Sequence, residues 1–323
     1  MEALQNEPLA FSSENNLVSA SSRSPLSTTD GSLLNIEFFE ANTSEGSPVL
    51  LVTHGVCESA ETLGIQAIVS EAMKRSVKVA VLELEGHGLS SGRRLVCGNF
   101  DKLLGHFLEF VNHSVPALRG RSNAPFFIAG NSLGGALAIY AAEEISKNKN
   151  VYPSNFKGLA PIAPAIGVDH RAVPSAPIVQ CLKFLSCIAP AAQIPLTPLE
   201  DPTHYNCPSD SRRNFSGHWP LSTSKMLLDI SSSRVDKDRK DGKLSLRQVD
   251  NVFIIAAEKD QVVPIEPISS FYKEIEIDPA QKSFFPVPNS GHDLLFQRKS
   301  SKLVVVALFD WIDRLTKRNV WKG

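Results

Sequence analysis

Three residues of this chain have the types and surroundings to do covalent chemistry together: Ser132, Asp260 and His292. Ser132 sits in Gly130-Asn131-Ser132-Leu133-Gly134-Gly135. The apolar run Ala124-Pro125-Phe126-Phe127-Ile128-Ala129 precedes it, and good helix formers fill residues 136–145. A G-x-S-x-G between a strand and a helix implies a turn sharp enough to push the serine hydroxyl clear of the sheet. Gly130 and Gly134 then lack the Cβ atoms that would hold strand and helix apart. Asp260 closes Glu258-Lys259-Asp260 after an apolar run at 251–257. His292 closes Asn289-Ser290-Gly291-His292 after a strand-like run at 282–287. A serine hydroxyl becomes a nucleophile when an imidazole takes its proton and a carboxylate orients that imidazole. The chemistry would be acyl transfer, through an acyl-enzyme that water releases.

Asp278 and Asp293 rival Asp260, but neither directly follows a strong strand. A developing oxyanion needs preorganised backbone N–H donors. Leu133, next after the nucleophile, is one candidate. Val56 is the other, in the loop His54-Gly55-Val56 that follows the strand-like run 48–53. His54 and His87 lie in glycine-rich loops and read as structural histidines. No zinc-like spacing accompanies them, so no metal or cofactor is expected. Cys57 reads as a bystander.

The elements that must position these residues alternate. Strand-type runs cover residues 33–39, 48–53, 77–84, 124–129, 158–163, 251–257 and 282–287. Helical stretches cover 60–75, 100–113, 136–145, 265–274 and 303–316. The run 48–53 is continuously apolar and β-branched, which suits a strand buried on both faces. Alternation of this kind predicts an α/β fold: a mostly parallel central sheet with helices on both faces. It breaks over 166–228, a Pro-rich stretch with one apolar helix at 177–188. The expected division is a flexible leader at 1–29, a core at 30–165 and 229–320, and an inserted helical cap at 166–228. The sign-alternating run 234–243 reads as a solvated face or loop.

Composition limits the function classes. The chain has 323 residues, 42% hydrophobic and 21% charged, with net charge −1. Nothing in that balance calls for nucleic acid. Five cysteines, an odd number without a C-x-x-C, suit a reduced compartment, and a cytoplasmic location is expected. No run is long and apolar enough to span a bilayer. The cap helix has two readings. The leading one is a packed helix. The other is a lid whose apolar residues, Ile178, Leu182, Phe184 and Leu185, make peripheral contact with lipid. Oligomeric state is not legible.

With these motifs in hand, the chain resembles the monoacylglycerol lipase family of α/β-hydrolases. The resemblance runs from about residue 31 to about residue 315. It is carried by His54-Gly55-Val56, Glu85-Gly86-His87-Gly88-Leu89-Ser90-Ser91-Gly92, the Ser132 motif, Glu258-Lys259-Asp260-Gln261-Val262-Val263 and Gly291-His292. The order Ser, Asp, His is that of α/β-hydrolases. Glu-Gly-His-Gly is similar to the plant and algal branch, which includes lysophospholipases and caffeoylshikimate esterases. The resemblance implies an α/β-hydrolase fold and a serine esterase acting on a small lipid or ester. The substrate class it implies is monoacylglycerol or lysophospholipid, under a cap. It implies that Glu58 helps hold the alcohol head group, and that Tyr205 does so from the cap. The family's Arg and Gly are replaced by Thr62 and Cys57, which bears on head-group preference. The alternatives are a thioesterase or proline-releasing aminopeptidase on the same three residues, and a non-catalytic binding protein on the same fold.

Overall fold

In a computed structural model, residues 17–168, 175–195 and 218–317 are described. In chain order the main sheet receives β1 (Ser22–Ser27), β2 (Leu33–Phe39), β3 (Val49–Thr53), β4 (Lys78–Leu82), β5 (Phe126–Asn131) and β6 (Phe156–Ile162). A short antiparallel pair, β7 (Gln193–Pro195) and β8 (His218–Pro220), stands apart. The last two strands of the main sheet are β9 (Val252–Ala257) and β10 (Lys282–Val287). The sheet order is β1-β2-β4-β3-β5-β6-β9-β10, antiparallel at β1-β2 and β2-β4 and parallel elsewhere.

The helices are α1 (Leu63–Lys74), α2 (Phe100–Arg119), α3 (Leu133–Lys147), α4 (Ala176–Ile188), α5 (Leu221–Asp229), α6 (Val235–Lys240), α7 (Ile265–Glu274) and α8 (Arg298–Lys317). The two faces of β3 show how the layers form. Val49 and Leu51 belong to the same buried cluster as Phe107 and Phe110 of α2 and Leu137 of α3. Leu50 and Val52 pack with Ile65 and Val69 of α1 and Leu308 and Phe309 of α8. All four are fully buried, as expected for a strand whose alternate side chains each meet a helical layer. Because β3, β5, β6, β9 and β10 are parallel, the loops after them open at one edge of the sheet.

Three expectations are corrected. Residues 22–27, read as part of a leader, form edge strand β1, and Arg23 pairs with Glu37 of β2 at 2.7 Å. The segment Ser-Arg-Ser-Pro-Leu-Ser has little strand propensity, but an edge strand tolerates Pro25 because one side of its backbone needs no partner. α2 runs past 113 to Arg119, since Val115 and Leu118 continue its buried stripe and Gly120, at φ 59°, ends it. The run 234–243, expected as a solvated face or loop, is helical as far as Lys240 and turns beyond it, with Asp236, Lys237 and Lys240 exposed. A π-helical turn (Ile230–Arg234) joins α5 to α6, making a continuous helical stretch that crosses the expected cap boundary at 228. Arg234 lies over the rings of Phe100 and Tyr140 and pairs with Asp101, which clamps this stretch to the core. Among the described residues no helix is long and apolar enough to cross a membrane.

Candidate active site

Ser132 stands between β5 and α3 with φ 50° and ψ −112°. A non-glycine residue in this region is strained, and such strain accompanies a nucleophile held on a tight strand-to-helix turn. The glycines explain why the turn can close. A Cβ on Gly130 would lie 2.2 Å from the Gly134 carbonyl oxygen. A Cβ on Gly134 would lie 2.5 Å from the Thr53 oxygen, so this second glycine admits the neighbouring strand β3. The Ser132 N–H donates to the Ile162 carbonyl at 2.9 Å and ties the turn to β6.

The three candidate residues converge. His292 Nε2 is 3.0 Å from Ser132 Oγ, and His292 Nδ1 is 2.8 Å from Asp260 Oδ2. The other Asp260 oxygen accepts the N–H groups of Val262 and Val263, each at 2.8 Å. A carboxylate only accepts, so Nδ1 carries the imidazole proton and Nε2 is left to accept from the serine. The loops bearing Asp260 and His292 are bonded to each other. The Lys259 N–H donates to the Ser290 carbonyl at 2.9 Å, and the Asn289 N–H to Glu258 Oε2 at 2.9 Å. Asp293, one of the rivals, is buried beside His292 but does not take the Nδ1 position.

Leu133 is the first residue of α3, where backbone N–H groups have no intrahelical acceptor. The Gly55–Val56 loop comes up against the serine: a Cβ on Gly55 would lie 3.2 Å from Ser132 Cβ. Two buried histidines shape this loop. His54 Nδ1 donates to the Gly55 carbonyl at 2.7 Å, and its Nε2 accepts from the Leu84 N–H at 3.2 Å. His87 Nδ1 donates to the Glu85 carbonyl at 3.0 Å, and its Nε2 accepts from the Cys57 N–H at 3.3 Å. Cys57 has φ 71°, and the His87 bond holds it there. Both rings are used on both nitrogens and need the neutral form. Burial lowers His54 to about 3 and His87 to about 4.

Glu58, which the resemblance puts at the head group, is 2% exposed, and its Oε1 accepts from Asn131 Nδ2 at 2.6 Å. Burial raises its carboxyl to about 8. Tyr205 lies outside the described residues. Cys57, Cys97, Cys181 and Cys187 are free thiols. Strand-end position is the signal that singles out Ser132, Asp260 and His292 in the sequence. The Asn131–Glu58 contact had no signal in the sequence, because 73 positions separate the pair.

These three buried groups set a pH profile for stability. Glu58 keeps its proton to about 8 when folded and loses it at 4.5 when unfolded, so its contribution is full below 4.5 and lost as pH rises to about 8. The histidines act with the opposite sign. Unfolded imidazole takes a proton near 6.5, which the folded rings refuse until about 4 and about 3, so stability falls as pH drops below 6.5. Each group contributes roughly 1.4 kcal/mol per pH unit across its window. Above 6.5 Glu58 acts alone; below it, two histidines outweigh one carboxyl. Melting temperature is expected to peak near pH 6.5 and fall on both sides, as thermal unfolding across pH 5–8 would show. A flat profile would contradict it.

Over 168 residues the chain is 27% identical to the monoglyceride lipase of Rattus norvegicus, an alignment covering 51% of this chain and 50% of that one. It is 27% identical over 141 residues to the monoglyceride lipase of Homo sapiens, covering 44% and 42%. The chain thus spans about half the length of the curated relatives it matches. A soluble variant of monoglyceride lipase from Saccharomyces cerevisiae, in complex with a substrate analogue, has the same fold, with TM-score 0.72 at 17% identity over 93% of this chain and 97% of that one. The family model described as serine aminopeptidase, S33 (Hydrolase_4) matches residues 45–299. The chain therefore belongs to the S33 serine aminopeptidase family of hydrolases and carries the α/β-hydrolase fold.

Proposed function

We propose that this protein is a serine carboxylic ester hydrolase that cleaves monoacylglycerol or a lysophospholipid. The observation that carries the reading is the relay from Asp260 through His292 to Ser132, with its proton positions set by the acceptors on Asp260. In this reading His292 Nε2 takes the Ser132 proton as Oγ attacks the ester carbonyl. Asp260 stabilises the imidazolium. The N–H groups of Val56 and Leu133 receive the oxyanion, with the positive end of α3 behind them. His292 returns its proton to the leaving alcohol, and a water activated by His292 releases the acyl group.

The names of the relatives support a lipid ester as substrate. The cap adds to this. On α4, Ile178, Phe184, Leu185 and Ile188 are exposed, and the one charged residue of the helix, Lys183, is paired with Asp229 at 2.7 Å. Such a surface suits peripheral contact with the lipid that presents the substrate. The family description supports a second reading, an aminopeptidase on the same residues.

A panel of 2-monoacylglycerol, lysophosphatidylcholine, a caffeoyl ester, an acyl thioester and an aminoacyl amide separates these. Turnover of the first two above the others is expected, and preference for the amide would overturn the ester reading. Run on vesicles, Phe184→Asp and Ile188→Asp are expected to slow monoacylglycerol hydrolysis several-fold. A dissolved short-chain ester should be cleaved at the unchanged rate.

A further inference from the structure

The resemblance treats the carboxyl of Glu58 as a head-group contact, yet its position in the fold is a structural junction. β5 ends at Asn131, immediately before Ser132 and Leu133. β3 ends at Thr53, and its loop carries Gly55, Val56 and then Glu58. These are the two arms that bear the candidate oxyanion donors. The Glu58 side chain joins them. Its Oε1 accepts from Asn131 Nδ2 at 2.6 Å, and it fills the space where Gly55 has no Cβ. A Cβ there would lie 2.7 Å from Glu58 Oε1 and 3.2 Å from Ser132 Cβ, so carboxyl and nucleophile press on the same glycine from two sides. Asn131 is itself buried, and its Oδ1 has no hydrogen-bond partner among the described residues. Removing Glu58 would strip this amide of its Nδ2 acceptor as well, a cost that invites the side chain and the elbow beneath it to move.

We infer that Glu58 is a positioning residue: it holds the Gly55–Val56 arm against the Ser132 elbow through Asn131, and so sets the spacing of the two oxyanion donors. This rests on Ser132 being the nucleophile. It also gives a reason for the residue's protonation state. The groups facing Glu58 are Asp293 and His292 from the loop after β10, Asn131 from β5, and the backbone of Gly55 and the thiol of Cys57 from its own loop. Burial is the main force on the carboxyl. As a neutral acid it offers an acceptor to Asn131 without placing a negative charge beside an oxyanion. Once ionised, near pH 8, it would repel the charge that develops on the substrate oxygen.

The same residue also weakens the fold at neutral pH, because a protonated buried carboxyl must be maintained against water. Glutamine has the same shape and an acceptor oxygen, and carries no such cost. That separates positioning from charge within one substitution.

The test is steady-state kinetics on a short-chain p-nitrophenyl ester, which has no glycerol, and on 2-monoacylglycerol, across pH 6–9.5. Glu58→Val is expected to lower kcat about 10²-fold on both substrates with KM little changed, the cost of misplaced donors. Asn131→Ala should lower kcat similarly, and the double variant should lose no more than either alone. Glu58→Gln should keep kcat within about threefold at pH 7, lose the alkaline fall near pH 8, and melt at a higher temperature than wild type at pH 8. A Glu58→Val variant that raises KM for monoacylglycerol alone and leaves the short ester untouched would overturn the inference in favour of a head-group contact. If Glu58→Val does not fold, Asn131→Ala decides instead: an unchanged kcat on the short ester would overturn the inference as well, whereas an alkaline fall that persists in Glu58→Gln would remove only the role given to its charge. Ser132→Ala on the short ester is the separate control. Full turnover there would fail the nucleophile itself, whereas no turnover together with an unaffected Glu58→Val would fail the positioning role alone.

Discussion

Ser132→Ala is expected to lower ester turnover by about 10⁶-fold and to abolish labelling by a fluorophosphonate, with the fold intact. Alanine removes the only atom that attacks, and the elbow strain belongs to the backbone, so the turn survives. Asp260→Asn is the more informative companion. Its oxygen and nitrogen cannot be placed freely, because the Val262 and Val263 N–H groups both require an acceptor where Oδ1 now stands. The amide must therefore turn its NH₂ to His292. That donor needs an acceptor at Nδ1, so the imidazole proton moves to Nε2, where it can no longer receive the Ser132 proton. A loss of about 10⁴-fold in kcat is expected from the wrong tautomer alone. The measurements are kcat on a dissolved ester, labelling rate and melting temperature. Labelling of Ser132→Ala at the wild-type rate would remove Ser132 as nucleophile. An Asp260→Asn enzyme of near-normal kcat would remove Asp260 as the orienting group.

Gly130→Ala is expected to be severely destabilising for the addition of a single methyl group. The added Cβ would stand 2.2 Å from the Gly134 oxygen, 2.3 Å from the Gly134 carbonyl carbon and 2.9 Å from the Gly135 nitrogen. All three are backbone atoms, so no rotamer change relieves the contact. Either β5 and α3 separate or the elbow opens, and both alter the core beneath it. A loss of about 3 kcal/mol or more is expected, with activity lost in any protein that does fold. Gly105→Ala is the matched control. It lies inside α2 with nothing within 4 Å of the added carbon, and should gain a few tenths of a kcal/mol to about 1 kcal/mol. Urea unfolding of both variants checks the contrast. Equal stabilities would show that the elbow is looser than its geometry.

Elements carrying a strong apolar run were legible from the chain: β3, β5 and β9 are apolar along most of their length and end next to chemistry. Elements without that signal were not. β1 is built of serines, an arginine and a proline, and exists because β2 offers it an unpaired edge. The first turn of α8, Arg-Lys-Ser-Ser-Lys, has no apolar period, so the helix reads as starting at 303 although it begins at Arg298. The stretch through Arg234 and Asp238 is charged enough to suggest a loop. Its helix is held by partners far away in sequence: the rings of Phe100 and Tyr140 for Arg234, and the Tyr140 hydroxyl, which donates to Asp238 at 2.9 Å.

By itself the sequence determined which residues stand at the sheet's open edge. A parallel sheet sends the ends of its strands to one side, so Ser132, Asp260 and His292 could be placed there from strand-end position alone. It also determined that the serine turn must be tight, since glycine is the residue that permits such approach. Only the tertiary structure decided the proton positions on His292 and the partners of His54 and His87. It alone brought Glu58 to Asn131 and under Gly55. The reason is physical. Strand ends and turns follow from local pattern, whereas tautomers and buried carboxyls depend on distances between segments that the chain brings together only when it folds.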